Sequence, residues 1–106
     1  MPLRVLVLTP TYDERDNLER FVQALFAVLP DAHLLVIDDA SPDGTGHLAD
    51  DIASRDARVS VLHRPGKLGL GSAYVAGFRH ALTQGYDVVL EMDTDLSHDA
   101  RHLPAF

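Results

Sequence analysis

The feature that most limits the fold is an alternation along the chain. Four short, nearly unbroken apolar runs, Val5-Leu6-Val7-Leu8, Leu34-Leu35-Val36-Ile37, Val59-Ser60-Val61-Leu62 and Val88-Val89-Leu90, are separated by longer segments with helical spacing. Runs of that kind suit strands buried on both faces. In the first intervening segment Leu18, Phe21, Val22, Leu25 and Val28 or Leu29 fall on one helical face before Pro30 closes it. Asp16 with Glu19 three residues later reads as a capping box there. A second helix carries Leu48, Ala49 and Ile52, with Asp43 or Thr45 as its cap, and a third runs from about Gly71 to Gln84. Strand–helix alternation predicts βαβ units with right-handed crossovers, and hence an α/β, three-layer sandwich with a mostly parallel sheet. Ligands of such sheets gather outside the carboxyl ends of the strands. Four loops therefore matter most: residues 9–16, 38–45, 63–71 and 93–99.

Composition removes several classes of function. With 106 residues the chain fills one domain but is small for a complete two-substrate enzyme. Its net charge of −7 argues against general nucleic-acid affinity, which needs clustered Lys and Arg. Without cysteine it offers neither a disulfide framework nor a thiolate metal site, as suits a cytosolic protein. No run approaches the roughly 18 apolar residues of a membrane span, and Met1-Pro2-Leu3-Arg4 has no signal-peptide pattern. Membrane contact would be peripheral, or made by sequence outside these residues.

Each loop has a bland explanation beside a chemical one. Thr9-Pro10-Thr11-Tyr12-Asp13-Glu14 contains no glycine, so the dinucleotide fingerprint is excluded at the first turn. It reads either as a proline-fixed turn or as a site where Tyr12 stacks on a base. In Asp38-Asp39-Ala40-Ser41-Pro42-Asp43-Gly44-Thr45 a turn and a helix cap explain the last three residues, but not two consecutive aspartates. Asp39 could hold a base or a ribose hydroxyl. Arg64-Pro65-Gly66-Lys67-Leu68-Gly69-Leu70-Gly71-Ser72 matches neither the phosphate-loop nor the dinucleotide spacing. A flexible loop carrying Lys67, the only lysine, could still approach a diphosphate; a solvated lysine on a glycine-assisted turn fits equally. In the last loop, strand geometry places Asp93 and Asp95 on one side, roughly 7 Å apart at Cα. That spacing suits Mg²⁺ or Mn²⁺ shared with a phosphate; a capped turn is the other reading. His98-Asp99-Ala100-Arg101-His102 imitates a zinc-protease motif, but directly follows a strand and meets Pro104, so zinc hydrolysis is set aside. His33, His47 and His80 sit on predicted elements as surface or satisfied core residues.

Taken in order, the four loops resemble family 2 glycosyltransferases of the GT-A fold, and more narrowly the dolichol-phosphate or polyprenol-monophosphate mannose synthases. The specific part is Gly66-Lys67-Leu68-Gly69-Leu70-Gly71-Ser72-Ala73-Tyr74 together with Asp93-Thr94-Asp95-Leu96-Ser97-His98. The resemblance implies a Rossmann-like nucleotide-sugar-binding half of a GT-A fold over residues 1–106, with the acceptor-binding part expected beyond Phe106. It implies that Pro10, Tyr12 and Glu14 line the nucleotide pocket, and that Ile37 and Asp39 hold the guanine–ribose end of GDP-mannose. Lys67 and Thr94 would add to the nucleotide-sugar site. Asp93 and Asp95 would be the catalytic pair and, with Ser97, would bind Mg²⁺ or Mn²⁺. Thr94 stands where the family usually has alanine, Asp13 where it has asparagine, and Ala40 where it has glycine, a change expected to stiffen that loop.

The implied reaction is inverting transfer of mannose from GDP-mannose to a polyprenyl phosphate, at the cytoplasmic face of a membrane. Two alternatives stay open: a UDP-glucose-dependent lipid-phosphate transferase, or a non-catalytic nucleotide-sugar-binding half-domain. Self-association, or a partner supplying the missing half, is expected from apolar surface left bare by a half-domain.

Overall fold

A computed structural model describes residues 3–66 and 69–94. Its elements are β1 (Val5–Thr11), α1 (Arg15–Val28), β2 (His33–Asp38), α2 (Thr45–Arg55), β3 (Val59–His63), α3 (Leu70–Gln84) and β4 (Val88–Glu91). The four strands form one sheet in the order β3-β2-β1-β4, with every pairing parallel. The expected alternation and sheet type are therefore present.

The continuous apolar runs serve two cores at once. On one face Val7, Leu34 and Val36 pack with Leu18, Phe21 and Leu25 of α1 and Ala49 and Ile52 of α2. On the other, Leu6, Leu8, Leu35 and Ile37 pack with Ala73 and Ala81 of α3. Each large side chain fully buried this way contributes about 1.5–3 kcal/mol of transfer free energy. Two helices cover one face and a single helix the other, which gives three layers.

Two local expectations shift. The predicted capping box does not start α1: the helix begins at Arg15, so Asp16 already lies in its first turn. Its first donors are met from outside the helix. Glu14 N–H donates to Thr45 Oγ1 at 3.0 Å and Arg15 N–H to Asp43 Oδ2 at 3.2 Å. Asp43 also accepts the Thr45 N–H at 3.0 Å, so one carboxylate serves the starts of two helices. The second shift is at β4, which ends at Glu91. Asp93 lies past the strand and Thr94 is in a turn, while Asp95, and with it the expected spacing of the two aspartates, lies outside the described residues.

At the opposite end of the molecule, Arg58 ties three segments together. Its guanidinium stacks 3.8 Å from the Phe26 ring centroid, donates to the Pro30 carbonyl at 2.9 Å and pairs with Asp56 at 2.7 Å. Hydrogen bonding from Arg58 holds the Asp56 carboxyl down at about 2. A folded-state value below the ordinary 3.8 adds stability above that pH, and this is lost as pH falls toward 2. Asp56→Asn should therefore flatten the acid limb of a pH–stability curve between about pH 4 and 2, as followed by chemical denaturation.

α3 sits close to the sheet because Gly77 faces it. A Cβ there would come within 2.7 Å of Leu8 Cδ1 and 2.9 Å of Ile37 Cδ1. Gly77→Ala should cost about 1–3 kcal/mol through overpacking, read as a lowered urea midpoint.

Candidate functional site

The strand order reverses at β1: β2 and β3 lie to one side and β4 to the other. Such a reversal opens a crevice at the carboxyl ends of the two diverging strands. Here the hydrogen bonding shows how it opens. Leu8 C=O accepts from Met92 N–H at 3.0 Å, at the end of the pairing between β1 and β4 among the described residues. On the β2 side pairing continues to Thr11, whose carbonyl accepts from Asp39 N–H at 3.1 Å. Alternation turns Pro10 toward β4, beyond the end of that ladder, where a missing N–H costs nothing.

The Asp93–Thr94 turn is pinned into this crevice. Thr94 is buried and its hydroxyl donates to the Pro10 carbonyl at 3.2 Å, within 2.6 Å of the Thr9 hydroxyl. Thr94 thus spends its polar group inside the protein. Asp93, half-buried, stands at the end of β4 on the α3 side. The phenol of the half-buried Tyr74 has its pKa raised, first by burial and then by the charges of Asp93 and Glu91. That negative field and a hard carboxylate oxygen suit Mg²⁺ or Mn²⁺. Among the described residues no three His, Asp or Glu side chains converge as a metal site. Asp95 and Ser97, the other expected ligands, lie outside the described residues, as does Lys67.

Next along the edge is the loop after β2. Asp38, buried, accepts from Thr11 Oγ1 at 2.7 Å, Ser41 Oγ at 2.6 Å and Ser41 N–H at 3.2 Å. It binds the β1 and β2 loops to each other. Asp39, also buried, meets Arg64 in a two-pronged pair: Nε to Oδ1 at 2.6 Å and Nη2 to Oδ2 at 2.9 Å. The carboxylate in turn raises the Arg64 pKa above its ordinary value. Asp13 and Ala40 both adopt left-handed backbone, with φ of 58° and 53°. Aspartate tolerates this better than alanine does, and at Ala40 it costs on the order of 1 kcal/mol.

The expected nucleotide residues are distributed unequally. Tyr12 is 37% exposed at the mouth of the crevice, and the half-buried Glu14 accepts from Asn17 at 2.9 Å. Ile37 is fully buried, packed under α3. Its side chain supports the Asp38–Asp39 corner from below and does not line an open surface. Sequence reading passed over Arg64, Thr11 and Ser41. The one available signal was a pair of adjacent aspartates heading for burial, which requires donors nearby.

Adjacent strands lie about 4.8 Å apart, so the Asp39 and Asp93 ends are separated by roughly 10 Å along one edge. Comparison with known proteins gives this edge a context. The family model for "Glycosyl transferase family 2" matches residues 6–106. The chain belongs to that family. It is 52% identical over 102 residues to an undecaprenyl-phosphate mannosyltransferase of Micrococcus luteus, covering 96% of this chain and 42% of that protein. It is also 52% identical over 101 residues to a polyprenol monophosphomannose synthase of Mycolicibacterium smegmatis, covering 94% and 38%. The chain thus spans about two fifths of the length of these family 2 relatives. Among solved structures, a Pyrobaculum calidifontis mannosyltransferase in complex with GDP-Man and Mn²⁺ superposes with a TM-score of 0.82 at 24% identity, over 99% of this chain and 31% of that one. S. aureus TarS gives 0.62 at 22% identity, over 88% and 17%. The fold is the Rossmann-like half of a GT-A fold.

The buried hydroxyl pin generates a prediction about stability. Thr94→Ala leaves the Pro10 carbonyl and the Thr9 hydroxyl without their partner, and should cost about 1–3 kcal/mol. Thr94→Ser should recover most of it, as judged by urea unfolding.

Proposed function

We propose that this chain is the donor-binding part of a transferase that moves mannose from GDP-mannose to a polyprenyl phosphate, with inversion and with Mg²⁺ or Mn²⁺. The observation that carries the reading is the switch-point crevice, where Tyr12 and the Asp39 corner line up with Asp93. The names of the two relatives at 52% identity support the mannosyl and polyprenyl-phosphate assignments. The fold match to a structure holding GDP-Man and Mn²⁺ supports the donor and the metal.

Roles follow from placement. Tyr12 offers an aromatic face to the base at the rim, with Pro10 and Glu14 shaping the same pocket. Asp39 sits at the nucleoside end, with Ile37 as its support. Asp93 faces the diphosphate and, together with Asp95 and Ser97, would hold the metal; Lys67 would approach the same phosphates. Thr94 acts by fixing Asp93 against β1. When bound, the divalent ion supplies positive charge for the departing diphosphate. A polyprenyl phosphate is already an anionic nucleophile, so no side chain is needed as a general base. The product would be a β-linked mannosyl phosphate lipid.

No helix among the described residues is long and apolar enough to cross a membrane. Access to a lipid phosphate would then be peripheral for this part, at the cytoplasmic face. The α3 stripe of Val75, Phe78 and Leu82, 51%, 40% and 81% exposed, is the apolar surface on which self-association or the acceptor-binding part would act.

Calorimetry tests the reading. Mn²⁺ should tighten GDP-mannose binding, UDP-glucose should bind more weakly, and Asp93→Ala should abolish the metal dependence. Binding that ignores Mn²⁺ would remove the metal assignment, and preference for UDP-glucose would select the glucose-dependent alternative. Radiolabelled GDP-mannose with a polyprenyl phosphate then separates a transferase from a half-domain that binds without turnover.

A further inference from the structure

Arg64 is the most heavily engaged cation among the described residues that no role above uses. It lies just past β3, with a side chain 8% exposed facing an Asp39 side chain 9% exposed. Its planar fork takes both Asp39 oxygens, at 2.6 and 2.9 Å. The same guanidinium donates through Nη1 to Ser72 Oγ at 2.8 Å and through Nη2 to the Gly69 carbonyl at 3.2 Å. Its backbone N–H donates to the Asp38 carbonyl at 2.8 Å. One residue therefore locks the acidic corner after β2 to the first turn of α3.

Geometry makes this more than a salt bridge. A carboxylate alone can rotate about its last bond; a two-pronged arginine fixes its plane. Burying a carboxylate is costly unless a cation is held beside it, and Arg64 is held beside Asp39. Lysine carries the same charge but cannot present two parallel N–H donors. The pair lies roughly 10 Å along the strand ends from Asp93, given a strand spacing of about 4.8 Å. Its influence should fall on the nucleoside end of a ligand rather than on the diphosphate end.

We propose that Arg64 is a positioning residue for the nucleoside end of the donor, acting through the plane of Asp39 and through its hold on Ser72 and Gly69. This rests on the nucleotide-sugar reading above, and the experiment keeps the two apart. The 106-residue chain is titrated calorimetrically with GDP and, separately, with inorganic pyrophosphate, each in the presence of Mn²⁺. Arg64→Gln should weaken GDP binding about tenfold or more, as expected for breaking a buried charge pair. Pyrophosphate binding should change by no more than about twofold, as for independent sites. Arg64→Lys should fail in the same way despite keeping the charge. The double variant Arg64→Gln, Asp39→Asn should bind GDP no worse than Asp39→Asn alone.

Equal losses on both ligands would reduce Arg64 to a structural residue. Unchanged GDP binding would overturn the proposal, and tighter GDP binding would make Arg64 a competitor for Asp39. If Arg64→Gln does not fold, Arg64→Lys and Ser72→Ala carry the test, the latter with a smaller GDP-selective loss. A wild-type chain that binds pyrophosphate but not GDP would overturn the nucleotide reading itself, and the role of Arg64 with it.

Discussion

The carboxyl edge of the sheet depends on where β1 stops pairing on each of its sides. Among the described residues, the ladder toward β4 ends at Leu8 and Met92, whereas toward β2 it runs on to Thr11 and Asp39. That difference separates the strand ends and turns the Pro10 carbonyl into the open space between them. The carbonyl then needs a donor, and the Thr94 hydroxyl provides one. A proline suits this position because no N–H is wanted there, and the turn bearing Asp93 follows from satisfying what proline leaves.

A second constraint is the burial of two consecutive carboxylates after β2. Their charges would oppose folding if left alone. The fold answers each differently. Asp38 is met by neutral donors, Thr11 and Ser41, which draw the first two loops together. Asp39 is met by a cation from the third loop. The third and second loops are thereby fixed to each other, and the first is fixed to the second. The order of the loops along the edge is then a consequence of charge compensation as well as of strand order. Gly46 belongs to the same corner: a Cβ there would come within 2.8 Å of Asp38 Oδ2, so the first turn of α2 can lie against the buried acid.

Sheet type, strand number and helix order were legible because double-sided burial demands unbroken apolar runs, and these four segments are nearly pure. That the loops after the strands share one edge was legible too, since all pairings in a parallel sheet run the same way. What escaped were relations between loops. The start of α1 is served by Asp43 and by Thr45, 28 and 31 residues away from the amides they accept, so no local capping signal could reveal it. Arg64 reads locally as one basic residue before a turn; its meaning comes from Asp39, 25 positions earlier. Ile37 shows the reverse relation. Placed beside Asp39 in sequence, it points by strand alternation into the α3 core, where Gly77 brings the helix close.

These relations bear on how the sheet edge would hold the proposed donor. The Asp39 and Asp93 ends of the edge rest on different supports: Arg64 and α3 at one, Thr94 and β1 at the other. Only β1 and its flanking strands join them. Rigidity of the central sheet, buried on both faces, thus sets the distance between the two ends. The loops need only fix local orientation. A ligand spanning the edge would then meet a preset separation, and the ordering cost of binding would fall on the loops alone. On this view the two-sided core is part of the recognition machinery, because the spacing that a nucleoside diphosphate would meet is established by Leu6, Val7 and Leu8 beneath it.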